Sequence, residues 1–176
     1  MQQLRQLPRG DAVDKMGAAV AAWIQNQEDG LFGVLAIGGS AGTTIGCQAM
    51  RSISDAIPKV MISTLASGDM DSFTQGKNIF MVDPLVDVAG INRVSRLAFD
   101  QGISKLLKLA NVNVGLPGLE PTEEKPLIAA SMFGVTTPCV DEARRLIELK
   151  GFEVLVFHAT GEGGRNMEKF IRQGHI

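Results

Sequence analysis

Apolar positions along the chain fall into two rhythms. Over residues 11–28 they recur at helical spacing: Val13, Met16, Val20 and Trp23 share one face with Gln27, which predicts an amphipathic helix. Asp11 stands where an N-cap is expected, and Gly30 where a helix stops. The next apolar stretch, 31–37 (LFGVLAI), does not alternate. A short unbroken run suits a strand covered on both faces, as in a parallel sheet. A glycine turn follows, reading Gly38-Gly39-Ser40-Ala41-Gly42-Thr43-Thr44, and then a helix is predicted over 43–54.

The alternation continues. Pro58 opens a second apolar strand, 59–63, and the polar, glycine-bearing stretch 66–77 reads as a loop. A third short strand is expected over 78–82, a turn over 83–90 and a helix over 91–109, weakened or kinked at Gly102. Two Gly, two Pro and three Glu within 111–125 mark a linker. Beyond it come a strand at 127–132, a helix from Pro138 to about Lys150, a strand at 152–157, a polar run at 158–164 and a last helix at 165–173. Strand and helix in strict alternation predict an α/β fold: parallel sheets with helices on both faces, Rossmann-like, joined by right-handed crossovers. The expected division is a lobe over 1–115, a linker over 116–125 and the start of a second lobe over 126–176. Two strands make a poor stand-alone sheet. The second lobe is therefore expected to be incomplete, leaning on the first, on another subunit or on further sequence.

Composition changes this picture little. The chain of 176 residues is 45% hydrophobic and 20% charged, which suits a folded globular protein. With eight Phe, one Trp and no Tyr, the core must be aliphatic, with eight Met as flexible filler. Net charge is −2 and no basic stripe is present, so nucleic acid is not an expected partner. The two cysteines, Cys47 and Cys139, form no CxxC or metal-ligand pair, and free thiols fit a reducing, cytoplasmic setting. The first residues, MQQLRQLPRGD, lack the apolar core of a signal peptide. No run approaches the ~20 apolar residues of a membrane span.

Candidate chemistry collects at strand ends. Ligands of open parallel sheets bind beyond the carboxyl ends of the strands. The 38–44 turn sits at such an end. Its glycines permit a sharp turn and close approach to an anion, the following helix start offers N–H groups, and Ser40, Thr43 and Thr44 add hydroxyls. It is neither a Walker A motif, since no Lys follows Gly42, nor a GxGxxG pattern. A purely structural tight turn is the competing reading. The second strand ends in Ser63, Thr64, Ser67 and Gly68, which either converge on the same ligand or simply cap turns. A third loop carries Asp87, Asn92, Arg93 and Arg96. Arg96 would share a helix face with Asn92, and Asp87 would orient that arginine, bind a ribose or hold a magnesium-bound water. The alternative there is a solvated helix start with a surface ion pair.

The second lobe repeats the theme. Gly134-Val135-Thr136-Thr137-Pro138-Cys139 reads as a strand-to-helix turn, with Cys139 expected as a small packed residue. The run from His158 through Thr160, Gly161 and Glu162 to Arg165 puts an imidazole at a strand end, for acid/base work or as a hydrogen-bonded structural residue. His175 is terminal, and no zinc spacing or Ser-His-Asp order can be assembled.

Taken together, IGGSAGTT, PKVMISTLASGD, VDPLVDVAGINRVSR, AASMFGVTTPCVDEAR and FEVLVFHATGEGGRNMEKFI resemble the tobamovirus-resistance-protein-like ATP-binding domain family of bacteria and plants. Five blocks in order, from about Asp29 onward, carry the resemblance. It implies two α/β lobes, a nucleotide site in the first, and dimers. By that resemblance Gly38, Gly39, Ser40, Gly42, Thr43 and Thr44 are the phosphate cradle. Ser63, Thr64, Ser67 and Gly68 are similar to the second loop, Asp87, Asn92 and Arg96 to the third, and Thr136, Thr137, His158, Thr160 and Gly161 to blocks of the second lobe. Members of the family are longer at both ends, so the chain looks like a middle fragment or shortened paralogue. The expected function is ATP binding, with Mg2+ and slow hydrolysis at most, in a homo-oligomer with no membrane partner. Two alternatives stand beside it: an enzyme acting on a phosphorylated or carboxylated metabolite between the lobes through His158, and a non-catalytic interaction scaffold.

Overall fold

A computed structural model describes residues 6–111, 125–159 and 161–176. Of these, one unit takes the residues up to Asp83 and those from Phe99 to 111; the other takes Pro84–Ala98 and the residues from 125 on. Each unit is built on its own parallel sheet, and the α/β, Rossmann-like class is as the alternation predicts.

In the first unit, β1 (Val34–Gly38), β2 (Lys59–Ser63) and β3 (Phe80–Val82) lie in that order, all parallel. β2 is the central strand, and every one of its residues is buried. That is why its sequence shows no polar alternation between Lys59 at its start and Ser63 at its end. The register sets Val34 opposite Lys59 and Gly38 opposite Ser63, so the two strands end level with each other. Helices α1 (Arg9–Gln25), α2 (Ser40–Arg51) and the short α3 (Asp71–Thr74) surround the sheet. Cys47 and Met50 of α2 pack with Met61 and Ile79, and Ile24 of α1 packs with Ala49 and Ile53.

Three details differ from expectation. The buried face of α1 is Gly17, Ala21 and Ile24, while Trp23 is 63% exposed. Small residues decide this: a Cβ at Gly17 would overlap the Gln48 side chain of α2, so the helices meet where α1 has least bulk. The start of α1 is set at Pro8, whose carbonyl accepts from Ala12 N–H at 3.0 Å; Asp11 lies inside the first turn, where an acid favours the helix dipole. Third, helix α4 (Arg93–Leu109) runs unbroken through Gly102. A Cβ there would stand 2.7 Å from Ile62 Cδ1, so the glycine serves close packing of α4 on β2 rather than a kink. Residues of α4 through Ala98 belong to the second unit, the remainder to the first.

In the second unit β4 (Leu127–Met132) pairs in parallel with β5 (Glu153–His158), from Leu127 opposite Glu153 to Met132 opposite His158. Val154 to Phe157 of β5 are buried. The segment after β3 runs beside β5: Asp87 N–H donates to the Val156 carbonyl at 2.6 Å, and Val86 packs with Leu155 and Phe157. A 3-10 turn (Gly134–Thr136) leads into α5 (Thr137–Glu148), with Pro138 in its first turn. Helix α6 (Gly161–Arg172) begins four residues earlier than the expected 165, so the glycine run is helical. Gly163, near its start, packs so closely that any Cβ there would overlap the His158 carbonyl. Cys139 is exposed, not packed, and Cys47 is the buried thiol. Among the described residues no helix is long and apolar enough to cross a membrane. Most of the expected linker, 116–125, lies outside the described residues.

Candidate functional site

The carboxyl ends of β1 and β2 carry the two turns singled out in the sequence, and hydrogen bonds join them. Thr43 Oγ1 donates to the Gly39 carbonyl at 2.8 Å and shares a 2.6 Å hydrogen bond with Ser63 Oγ. Ser63 Oγ also accepts from Leu65 N–H at 3.0 Å, and Thr64 N–H donates to the Gly38 carbonyl at 3.3 Å. Thr43 and Ser63 are both 0% exposed. They form a buried clamp fixing one turn to the other, with their hydroxyls engaged. Thr44 Oγ1 is likewise turned back to the Ser40 carbonyl at 3.1 Å.

The glycines divide by role. A Cβ on Gly38 would stand 2.9 Å from the Gly42 Cα, so these two let the turn close on itself. Gly39 is different: a Cβ there would meet Thr64 Oγ1 at 3.5 Å and nothing closer. Its φ of −84° and ψ of −156° are open to any residue. Gly39 is also the N-cap of α2, which has no side-chain cap, so the first N–H groups of that helix lack intrahelical or side-chain acceptors. Beside them lies the Thr64 hydroxyl, buried and, among the described residues, without a hydrogen-bond partner. Ser67 and Gly68 form an exposed turn, closed by Gly68 N–H to the Leu65 carbonyl at 2.9 Å.

A groove of about 320 Å³ opens along the start of α2. Ser40, Ala41 and Thr44 line it together with Arg9, Asp14 and Phe73. Arg51 holds its far wall by donating to the Phe73 carbonyl. Sequence reasoning missed Arg9, Asp14 and Phe73 because they are distant in the chain and sit in no motif.

Residues of the third loop belong to the second unit and part company there. Asn92 caps α4: its Oδ1 accepts from Val94 and Ser95 N–H at 3.0 and 2.8 Å, while its own N–H donates to Ser95 Oγ at 3.0 Å. Arg93 donates through its backbone N–H and Nε to the Glu153 carboxylate, and through Nη2 to the Lys125 carbonyl at 2.6 Å. Arg96 lines a cavity of about 460 Å³ with Lys125, Phe152 and Glu153, at the amino ends of β4 and β5. Asp87 lies at the opposite, carboxyl end, where its Oδ2 is 3.2 Å from His158 Nδ1. That pairing spans 71 positions and has no sequence signature.

Among the other second-unit residues, Thr136 Oγ1 donates to the Phe133 carbonyl at 3.0 Å and accepts from Phe133 N–H, closing the turn before α5. Thr137 and Gly161 are the first residues of α5 and α6. Thr160 lies outside the described residues.

Comparison with known proteins matches residues 1–114 to the N-terminal domain, and residues 125–176 to the C-terminal domain, of the uncharacterised protein family UPF0261. A UPF0261 protein of Clostridium tetani is 44% identical over 175 residues, covering 98% of this chain and 42% of the relative. One from Rhizobium meliloti is 41% identical over 166 residues, covering 94% and 40%. The ToMV resistance protein Tm-1(GCR237) of tomato, Solanum lycopersicum, is 38% identical over 181 residues, covering 96% and 23%. The chain thus spans less than half the length of these relatives.

Proposed function

The chain belongs to the UPF0261 family, and from that premise we propose that its first unit binds the phosphates of a nucleotide, ATP, at the start of α2. The observation that carries this reading is the uncapped N-terminus of α2 beside the unpartnered, buried Thr64 hydroxyl, at the carboxyl edge of a parallel sheet. An orphaned buried hydroxyl costs free energy unless something accepts or donates to it. A phosphate oxygen lying over Gly39 would accept from that hydroxyl and from the helix N–H groups together. Gly39 carries no side chain to cover that hydroxyl, Ser40 adds an exposed hydroxyl, and Arg9 lines the groove at the helix start together with Asp14. Thr43 and Ser63 have a supporting role in this reading: they hold the two turns in register and do not touch the ligand. Any Mg2+ would arrive with the nucleotide.

The absence of a Walker lysine argues for binding with slow turnover at most. Binding of ATP also suits the cytoplasmic setting read from the free cysteines. Calorimetric titration of ATP, with and without magnesium, tests the proposal. Saturable binding by ATP and by inorganic triphosphate, but not by adenosine, is expected. No heat and no thermal shift at millimolar ATP would contradict it.

A further inference from the structure

The second unit holds a histidine–carboxylate pair whose construction goes beyond a surface contact. His158 is the last residue of β5, and Asp87 lies on the segment running beside that strand. The Asp87 carboxylate is held at both oxygens: Oδ1 accepts from Val88 N–H at 2.8 Å and Oδ2 faces His158 Nδ1 at 3.2 Å. Its backbone is pinned in turn by the 2.6 Å bond to Val156. The imidazole is fixed a second way, by the Phe133 ring lying edge-on with centroids 5.3 Å apart. The backbone of His158 is fixed too, because Gly163 of α6 packs directly against its carbonyl. Asp87 is nearly covered, with a side chain 10% exposed, whereas the His158 side chain remains 25% exposed. Among the described residues nothing is bonded to Nε2.

A carboxylate that accepts from Nδ1–H fixes the imidazole tautomer and leaves Nε2 with a lone pair. Here that lone pair belongs to a ring held by Asp87 and Phe133 on a fixed backbone, at the carboxyl end of a parallel strand pair, where ligands of α/β sheets bind. A histidine kept only for packing does not need a buried carboxylate on one nitrogen and solvent access at the other. We propose that His158 and Asp87 form a proton-transfer pair. His158 Nε2 takes a proton from a hydroxyl or water that attacks an electrophilic substrate, and Asp87 is the positioning residue that accepts the hydrogen bond from Nδ1 and stabilises the imidazolium. The pair lies within the second unit and does not depend on nucleotide binding in the first.

Two measurements on the full chain test this. Long-range proton–nitrogen NMR of histidine-labelled protein reads the tautomer directly, and Nδ1–H with unprotonated Nε2 is expected at His158. Diethyl pyrocarbonate then probes Nε2 as a nucleophile. Nε2 attacks a carbonyl carbon, the bond to the ethyl carbonate leaving group breaks, and the Nδ1 proton is released to solvent. The chain has only two histidines, so His175 serves as an internal reference in site-resolved mass spectrometry. Faster modification of His158 than of His175 is expected. In Asp87→Asn a loss on the order of tenfold at His158 alone is expected, in line with the dependence of a paired histidine on its carboxylate. An Nε2–H tautomer in the wild-type chain would overturn the proposal, whatever the variant does. So would equal reactivity of the two histidines, or an Asp87→Asn rate at His158 unchanged from wild type.

Discussion

At the scale of single residues, two threonines of one type have opposite expected roles. Thr43 Oγ1 is fully engaged between Gly39 and Ser63. Thr43→Val removes that hydroxyl and strands its partners, which should cost about 1–3 kcal/mol in denaturant unfolding. Thr64 Oγ1 is buried and has no partner among the described residues. Thr64→Val should leave stability unchanged or raise it by up to ~1 kcal/mol while weakening ATP binding. Loss of stability in Thr64→Val would mean that the hydroxyl has a structural partner after all. The cysteines offer a simpler contrast. Burial pushes the Cys47 thiol above its usual pKa, while Cys139 is exposed. A thiol reagent should therefore titrate one cysteine quickly and the other only on unfolding. Asp55 sets an acid limit. Its hydrogen bond from Lys77, at 3.0 Å, holds the carboxyl below its usual value, helped by Lys59 nearby. A depressed folded-state value means the stabilisation is complete above the unfolded carboxyl's pKa and is lost as pH falls through the folded one. Asp55→Asn should accordingly flatten the acid side of a stability–pH curve and leave its neutral part little changed in slope.

At the scale of elements, strands were more legible than helix faces. The runs at 59–63 and 127–132 coincide with β2 and β4, because a parallel strand covered on both sides writes an uninterrupted apolar run into the sequence. The buried face of α1 differs from the expected one because Gly17 and Ala21, residues that contribute little to an apolar count, lie in it beside Ile24. Gly102 was misread for the converse reason. Helix propensity treats glycine as a weakness, but packing of α4 on β2 requires a residue without a side chain. Gly102→Ala should thus lower stability in a denaturant melt despite the ~1 kcal/mol gained in helix propensity, since the fully buried Ile62 must move to make room. A gain in stability would show that Ile62 repacks freely.

At the scale of the whole molecule, alternation of strand and helix was enough to give the α/β class, and the glycine turn could be placed at a strand end from sequence alone. What each residue of that turn does could not be read there. Gly38, Gly39 and Gly42 are the same letter, yet Gly38 and Gly42 touch each other, whereas a Cβ on Gly39 would make only an ordinary contact with Thr64. Pairings across long stretches of chain, such as Asp87 with His158, depend on topology and leave no local pattern. That difference among the glycines also supplies the sharpest test. Gly39→Ala fits the backbone and places a methyl over the Thr64 hydroxyl, whereas Gly38→Ala forces backbone apart and should destabilise the first unit. The direct measurement is a calorimetric titration of ATP into the wild-type chain and Gly39→Ala, with thermal unfolding of both. Saturable binding to the wild type is expected, weakened by roughly tenfold or more in Gly39→Ala, which is ~1.4 kcal/mol, with an unfolding midpoint near that of the wild type. Equal ATP affinity in the two proteins, or none in the wild type, would contradict it.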